Sequence, residues 1–88
     1  MENDTALILK KLRCRKGLSL EQLAHDLNER FDVKITIRML ENWENGKINK
    51  LRAKKIKALA IYYNVTMDFI LGFDQDEYQE IINFQIEA

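Results

Sequence analysis

Apolar residues recur every three or four positions along most of this chain, which is the spacing of helices that bury one face. The pattern predicts a first helix over residues 4–16, in which Leu9 and Leu12 face inward. Gly17 follows and adopts a left-handed backbone at little cost, so the helix is expected to end there. The alternation that is typical of strands is confined to one short stretch. We therefore expect an all-α fold.

Capping signals mark two more helices and a connector between them. Ser19 and Gln22 have the spacing of a capping box, which predicts that a second helix begins there. Its buried stripe is expected to comprise Leu23, Ala24, Leu27 and Phe31. Residues 32–35 alternate in polarity and include two β-branched residues, so they predict an extended connector. Thr36 then caps a third helix over residues 37–45.

The remaining pattern predicts three further helices. The fourth is expected to begin at Asn49 or Lys50. Its core side is expected to carry Ile56, Leu59, Ala60 and Tyr63, with Tyr62 partly exposed. Thr66 caps a brief fifth helix over residues 67–71. Asp74 begins a second capping box and opens a sixth helix.

Charge is distributed unevenly along the 88 residues, although the formal net charge is zero. All 14 Lys and Arg precede Gly72, where nine acids oppose them and leave a net charge of +5. Residues 73–88 carry five acids and no base. A basic body favours an anionic partner such as nucleic acid, whereas an acidic tail favours contact with another protein.

Several classes of function find no support in the sequence. An apolar run that could cross a membrane and a secretory leader are both missing, and a single cysteine, Cys14, fits a reducing cytoplasm. His25 is the only histidine, so we expect no metal site. Glycine-rich phosphate loops, nucleophile elbows and paired carboxylates are also missing, so we expect neither an enzyme nor a cofactor.

Short motifs in a fixed order resemble those of a known family. They are Leu12-Arg13, Lys16-Gly17-Leu18-Ser19, Glu21-Gln22-Leu23-Ala24, Trp43-Glu44-Asn45-Gly46-Lys47, Leu59-Ala60, Tyr63-Asn64-Val65-Thr66-Met67-Asp68 and Ile70-Leu71-Gly72. In these motifs the chain resembles the lambda-repressor-like (Cro and XRE) helix-turn-helix regulators over residues 6–72. The resemblance implies a five-helix DNA-binding bundle within residues 1–72, whose third helix lies in the major groove of double-stranded DNA.

The largest departure from the family's pattern is one of length. The 13-residue step from Leu27 to Leu40 is longer than in compact members, which predicts an extended connection between the second and third helices. We expect Val33 and Ile35 to hold this connection against the core, where it either covers apolar surface or touches the sugar-phosphate backbone. Residues 73–88 add a C-terminal helix to the five-helix bundle.

The outward face of the third helix carries the candidate base contacts. Leu40 and Trp43 are expected to face the core. The opposite side then exposes Ile37, Arg38, Glu41 and Asn42, with Met39 at its margin. Arg38 has the donors to pair with O6 and N7 of guanine, Asn42 can pair with adenine, and the two apolar members can contact a thymine methyl. Without the motifs around them, these residues would be ordinary solvated surface.

Residues that flank the second and third helices are the candidate contacts to the DNA backbone. They are Ser19, Lys34, Thr36, Asn45, Lys47, Lys50 and Arg52. Leu20 occupies the position where the family commonly has a glutamine that contacts phosphate. Backbone amides at the start of the second helix, near Ser19, can still face a phosphate. The alternative for each lysine is an ordinary solvated surface charge.

The resemblance also implies a structural ion pair. Arg13 and Glu44 occupy positions that form a partly buried pair between the first and third helices in the family. Such a pair would fix how the recognition helix sits on the bundle.

Two hypotheses about function follow. The first is a sequence-specific transcriptional regulator, most simply a repressor, that binds an inverted-repeat operator as a homodimer. The C-terminal helix would either support that dimer or cover Leu7 and Ile8 within the protomer, through Tyr78, Ile81, Ile82 and Phe84. The second is an antitoxin-like or co-regulator module on the same scaffold, whose main ligand is a protein partner that contacts the C-terminal helix.

Overall fold

The computed structural model describes residues 4–48 and 51–73. In these ranges the chain forms five helices, which are α1 (Asp4–Arg15), α2 (Leu20–Arg30), α3 (Ile37–Glu44), α4 (Ala53–Tyr63) and α5 (Met67–Ile70). The described residues include no strand, so the predicted all-α bundle is confirmed. The predicted sixth helix lies outside the described residues.

Three of the helices begin at hydroxyl caps that the sequence predicts. Ser19 forms a full capping box, in which the Gln22 backbone N–H donates to Ser19 Oγ and the Ser19 N–H donates to Gln22 Oε1, both over 3.1 Å. Thr36 accepts from the Met39 N–H over 3.1 Å at the start of α3. Thr66 accepts from the Phe69 N–H over 3.0 Å at the start of α5. Each cap satisfies a donor that the first turn of a helix leaves unpaired.

Left-handed residues end α1 and α3 in the same way. Gly17 has φ 69° and Gly46 has φ 90°, a region that L side chains rarely adopt. After Gly17, the Leu18 N–H reaches back to the Arg13 carbonyl over 3.2 Å. After Gly46, the Lys47 N–H reaches the Asn42 carbonyl over 2.7 Å. Both closures satisfy carbonyls at the helix end and turn the chain sharply.

The start of α4 differs from its prediction. The helix begins at Ala53 rather than at residue 49 or 50, because Arg52 has extended backbone angles, φ −88° and ψ 163°. The Leu51 N–H donates to the Ile48 carbonyl in a separate turn over 3.0 Å. Local helix propensity continues through this stretch, but the turn interrupts it.

One apolar core joins all five helices. α1 packs on α3 and α5, α2 packs on α3 and α4, and α4 packs on α5. The largest fully buried side chains are Ile8, Leu23, Leu27, Leu59, Phe69 and Ile70. Burial of each such side chain contributes about 1.5–3 kcal/mol relative to leaving it in water. This core supports α3, which is too short to be stable alone.

Tyr62 was predicted to be partly exposed, and this prediction was wrong. Only 8% of the residue is exposed, and its hydroxyl donates to Asp26 Oδ2 over 2.6 Å. Lys16 and Arg30 each place a cation 5.2 Å from the centre of its ring. Burial, together with the hydrogen bond to Asp26, raises the pKa of Tyr62 to about 12. The residue therefore links α4 to α2 and to the turn after α1 through its ring and its hydroxyl.

The connector between α2 and α3 is held at one point by a side-chain amide. Asn28 Nδ2 donates to the Ile35 carbonyl, and the Ile35 N–H donates to Asn28 Oδ1, both over 2.8 Å. The Ile35 side chain is 2% exposed and belongs to the core, while Val33 packs against the core and is partly buried. The amide thus supplies the hydrogen bonds that an extended backbone lacks when no second strand pairs with it.

We predict that Asn28→Ala lowers the free energy of unfolding by about 1–3 kcal/mol, because it leaves the Ile35 N–H and carbonyl without partners. Urea unfolding followed by the fluorescence of Trp43 measures the change. Glu29→Ala, at the next and exposed position, is the control and should change stability by less than about 0.5 kcal/mol. Equal effects of the two substitutions would contradict the role of the amide.

Candidate nucleic-acid interface

The third helix packs against the core with one face and exposes the other to solvent. Leu40 and Trp43 are 3% and 2% exposed and anchor α3 to the core. On the opposite side, Arg38 and Glu41 are exposed. Ile37 is 37% exposed, which is high for a large apolar side chain at the start of a helix. This division follows from helix periodicity, since residues three or four apart share a face.

Arg38 and Asn42 lie one turn apart on the presented face. Asn42 is partly buried and Arg38 is exposed. Within the part of the chain that the structure describes, neither side chain forms a hydrogen bond or an ion pair with the protein. Four residues of helix separate their positions by about 6 Å along the axis, roughly two base-pair steps. Both side chains are therefore available to an external ligand.

Met39 differs from the other residues of this face. Its backbone N–H donates to Thr36 Oγ1, and its sulfur accepts from the Thr36 N–H over 3.4 Å. The side chain is partly buried and packs against the core. Met39 thus takes the part that Glu or Gln plays in an ordinary capping box. In this rotamer the side chain is turned back toward the start of α3.

An ion pair with two hydrogen bonds links α3 to α1. Arg13 Nε donates to Glu44 Oε2 over 2.8 Å, and Arg13 Nη2 donates to Glu44 Oε1 over 2.9 Å. The third arm of the guanidinium, Nη1, donates to the Leu18 carbonyl over 2.8 Å. The side chains of Arg13 and Glu44 are 16% and 9% exposed. The hydrogen-bonded carboxylate raises the pKa of Arg13 above its ordinary value, despite the opposing effect of burial.

Tyr63 lies near this ion pair and packs against the core. Its hydroxyl is shielded from solvent and has no hydrogen-bond partner among the described residues. Burial, and secondarily the charge of Glu44, raises the pKa of Tyr63 well above its usual value. The phenol is therefore neutral at physiological pH. Its ring meets Tyr62 edge-on, with ring centroids 5.2 Å apart.

The residues predicted to contact the DNA backbone differ in their exposure and in their hydrogen bonds within the protein. Lys34, Asn45, Lys47 and Arg52 are exposed. Lys34 precedes α3, Asn45 and Lys47 follow it directly, and Arg52 is the N-cap of α4. Ser19 and Thr36 are exposed, but their hydroxyl oxygens already accept hydrogen bonds as helix caps. Lys50 lies outside the described residues, as do Tyr78, Ile81, Ile82 and Phe84.

Two basic residues near this face were missed by the sequence analysis. Lys54 and Lys55, in the first turn of α4, line a cleft together with Lys34 and Arg52. The signal in the sequence is the group of basic residues at positions 52, 54 and 55, which periodicity alone assigns to a solvated helix face. Only the folded connector shows that Lys34 lies beside them.

Other sequence candidates do not join this surface. His25 is exposed, and so is the thiol of Cys14. No group of three or more metal-ligating side chains occurs in the described ranges. Within the same ranges, no helix combines the length and the apolar character that crossing a bilayer requires.

Comparison with known proteins identifies the architecture. A protein-family model described as "Helix-turn-helix" matches residues 9–70, which is more than half of the chain. The matched region contains the second and third helices and both residues of the Arg13–Glu44 pair. Comparisons with curated proteins and with solved structures gave no significant match.

We predict that Glu44→Gln destabilises the fold by about 2–3 kcal/mol, between the values typical of exposed and of buried ion pairs. The substitution leaves Arg13 without its counter-charge in a poorly solvated place. Thermal or urea unfolding measures the loss. A double variant, Arg13→Met with Glu44→Leu, should recover part of it, because no unpaired charge remains. If Glu44→Gln is neutral, the ion pair does not fix the position of α3.

Proposed function

Because the chain belongs to the Cro/XRE-like helix-turn-helix family of DNA-binding regulators, we propose that it is a cytoplasmic transcriptional repressor. In this proposal it binds an inverted-repeat operator as a homodimer and places α3 in the major groove of each half-site. Its action is binding rather than catalysis. Control of transcription then depends on its concentration or on a partner protein.

The availability of Arg38 is the observation that carries the proposal. An exposed guanidinium near the N-terminal end of α3, without a partner among the described residues, matches the end of a recognition helix that meets base edges. Its paired N–H donors fit O6 and N7 of guanine, and the Asn42 amide fits the major-groove edge of adenine. Ile37 supports a contact to a thymine methyl, and Glu41 can accept from the amino group of cytosine. For Met39, a base contact would require it to leave its capping position.

The ion pair supports the proposal by fixing the orientation of α3. Arg13 holds Glu44, in the last turn of the helix, while Leu40 and Trp43 hold its inner face. Rigid attachment of this kind favours specific recognition, because a contacting side chain must be placed within a fraction of an ångström.

Contacts to the phosphate backbone would set the register of the helix on DNA. Lys47 follows α3 directly, and Lys34 precedes it by three residues. Lys34 before α3, and Lys47 and Arg52 after it, would supply positive charge beyond both ends of the helix. Lys50, which lies outside the described residues, is proposed from the sequence alone. The side-chain donors of Ser19, Thr36 and Asn45 would add neutral hydrogen bonds, because the backbone N–H of each of these residues is already paired within the protein.

Homodimer formation is proposed because one short helix reads only a few base pairs. Two copies that bind half-sites about 34–36 Å apart gain both affinity and specificity. Tyr78, Ile81, Ile82 and Phe84 are the proposed dimer residues, which would meet their counterparts across a two-fold axis. The alternative is that they cover Leu7, which is 39% exposed on α1, within one protomer. Selection of bound duplexes from a random pool tests the operator and its symmetry together. A selected site without two-fold symmetry would count against the dimer.

A second candidate is a module that binds another protein. Ile61, Leu71 and Phe73 are 52%, 37% and 75% exposed, and the five acids of residues 73–88 add a surface unsuited to DNA. Titration of the protein with a random duplex at low salt distinguishes the candidates. Binding at micromolar protein supports the regulator, whereas no binding favours the antitoxin-like or co-regulator module.

We predict that Arg38→Ala weakens specific binding by about 1–3 kcal/mol and relaxes the preference at one base pair. Arg38→Lys is the matched control, because it keeps the charge but loses the two-pronged donor geometry. It should retain affinity for random duplex while losing base preference. Fluorescence polarisation against single-base operator variants measures both quantities. Unchanged affinity and preference in Arg38→Ala would mean that α3 is not the reading helix.

We predict that Lys47→Ala weakens binding to all duplexes to a similar extent and reduces the salt slope by about one. The fold should be unaffected, since only the backbone N–H of Lys47 takes part in the closure of α3. Lys47→Arg, which keeps the charge, should preserve the slope. Binding titrations over a series of salt concentrations give this value. A sequence-dependent loss would instead assign Lys47 to base reading.

A further inference from the structure

The extended connector forms one wall of a cleft, and the start of α4 forms the other. The cleft has a volume of about 380 Å³ and is lined by Asp32, Val33, Lys34, Arg52, Lys54 and Lys55. Four of these six residues are cations. The cleft exists because the amide of Asn28 and the buried Ile35 hold the connector against the bundle, which places Lys34 opposite the first turn of α4.

Asp32 is the only acid that lines this cleft, and it forms an ion pair with one of its cations. Lys54 Nζ lies 3.3 Å from Asp32 Oδ2, and both side chains are well exposed. An exposed pair of this kind contributes little to stability and exchanges readily with other charges. The carboxylate therefore occupies a position that an external anion can take from it.

The cleft lies beside the N-terminal end of the recognition helix. Lys34 precedes the Thr36 cap by two residues, so its Cα is within about 7 Å of the start of α3. The major groove is about 12 Å wide, so phosphates flank a helix inserted into it on both sides. Lys34, on the connector, is thus at the distance at which a DNA backbone would pass when α3 is docked, and the cations at the start of α4 line the same cleft.

We propose that this cleft binds the phosphodiester backbone of the duplex next to the half-site, and that Asp32 weakens this contact by competing for Lys54. The inference rests on the proposed function and deepens it. Lys54 and Lys55 are added to the DNA surface, and the extended connector becomes part of the interface. Phosphate binding requires only that Lys54 leaves Asp32, with no rearrangement of the backbone.

Asp32→Asn is the most direct test, because it removes the competitor without removing a cation. In the full chain it should tighten binding to a random 20-base-pair duplex by about two- to fivefold at physiological ionic strength, roughly 0.15 M. Lys54→Ala and Lys55→Ala should each weaken binding and lower the salt slope by about one. Asp32 and Lys54 are exposed and Lys55 is partly buried, and circular dichroism tests whether each variant folds.

Asp68→Asn is the matched control for the change in net charge. Asp68 is exposed in α5, which follows the far end of α4, and the 11 residues of α4 span about 16 Å. At physiological salt this distance exceeds the screening length of about 8 Å. If Asp32→Asn tightens binding no more than Asp68→Asn does, the cleft is not a contact site.

Two further readouts separate the possible failures. If Lys54→Ala and Lys55→Ala leave the salt slope unchanged while Arg38→Ala still relaxes base preference, the cleft proposal is wrong and the proposed function stands. If the unmodified chain does not bind duplex DNA, both proposals are wrong. Titration with inorganic pyrophosphate forms a separate arm. An effect of Asp32→Asn on pyrophosphate but not on duplex would make the cleft a site for small anions and overturn the inference.

Discussion

The orientation of α3 depends on one guanidinium group. Arg13 uses three donors to join the end of α1, the loop after it and the last turn of α3. Eight residues cannot form a stable helix by themselves, so the direction of α3 must come from what it touches. Apolar contacts from Leu40 and Trp43 resist its departure from the core but allow it to slide or rotate. A charge pair with planar geometry removes that freedom.

The surroundings of this pair increase its effect. Glu44 is 9% exposed, and Tyr63 contributes a shielded, neutral phenol to the same region, so little water screens the two charges. The Gly17 turn brings the Leu18 carbonyl to the third arm of Arg13, and the Gly46 turn leads the chain away just after Glu44. Two left-handed residues therefore frame the ion pair. The proposed DNA-contacting surface lies on the side of α3 that this arrangement leaves exposed.

Features fixed by neighbours in sequence were predictable. Hydroxyl caps at Ser19, Thr36 and Thr66 were found where expected, because a cap involves residues three positions apart. Apart from the Arg13–Glu44 pair, which the family resemblance implied, several features fixed by tertiary contact were missed. Tyr62 is buried because Asp26 and Arg30 of another helix meet it, and α4 begins late because a turn at residue 51 interrupts it. Likewise, the sequence does not show that Lys54 and Lys55 share a cleft with Lys34, because this depends on the path of the connector.

The amide of Asn28 also bears on how this architecture tolerates changes of length. Asn28 and Ile35 close a loop whose ends are fixed, so the residues between them do not determine where α3 begins. The entropic cost of closing a loop rises only slowly with the number of residues in it, and connecting segments generally run over the surface. Insertions and deletions between these two residues are therefore expected to leave the position of α3 unchanged. The connector is thus the segment in which a change of length would least disturb the start of α3.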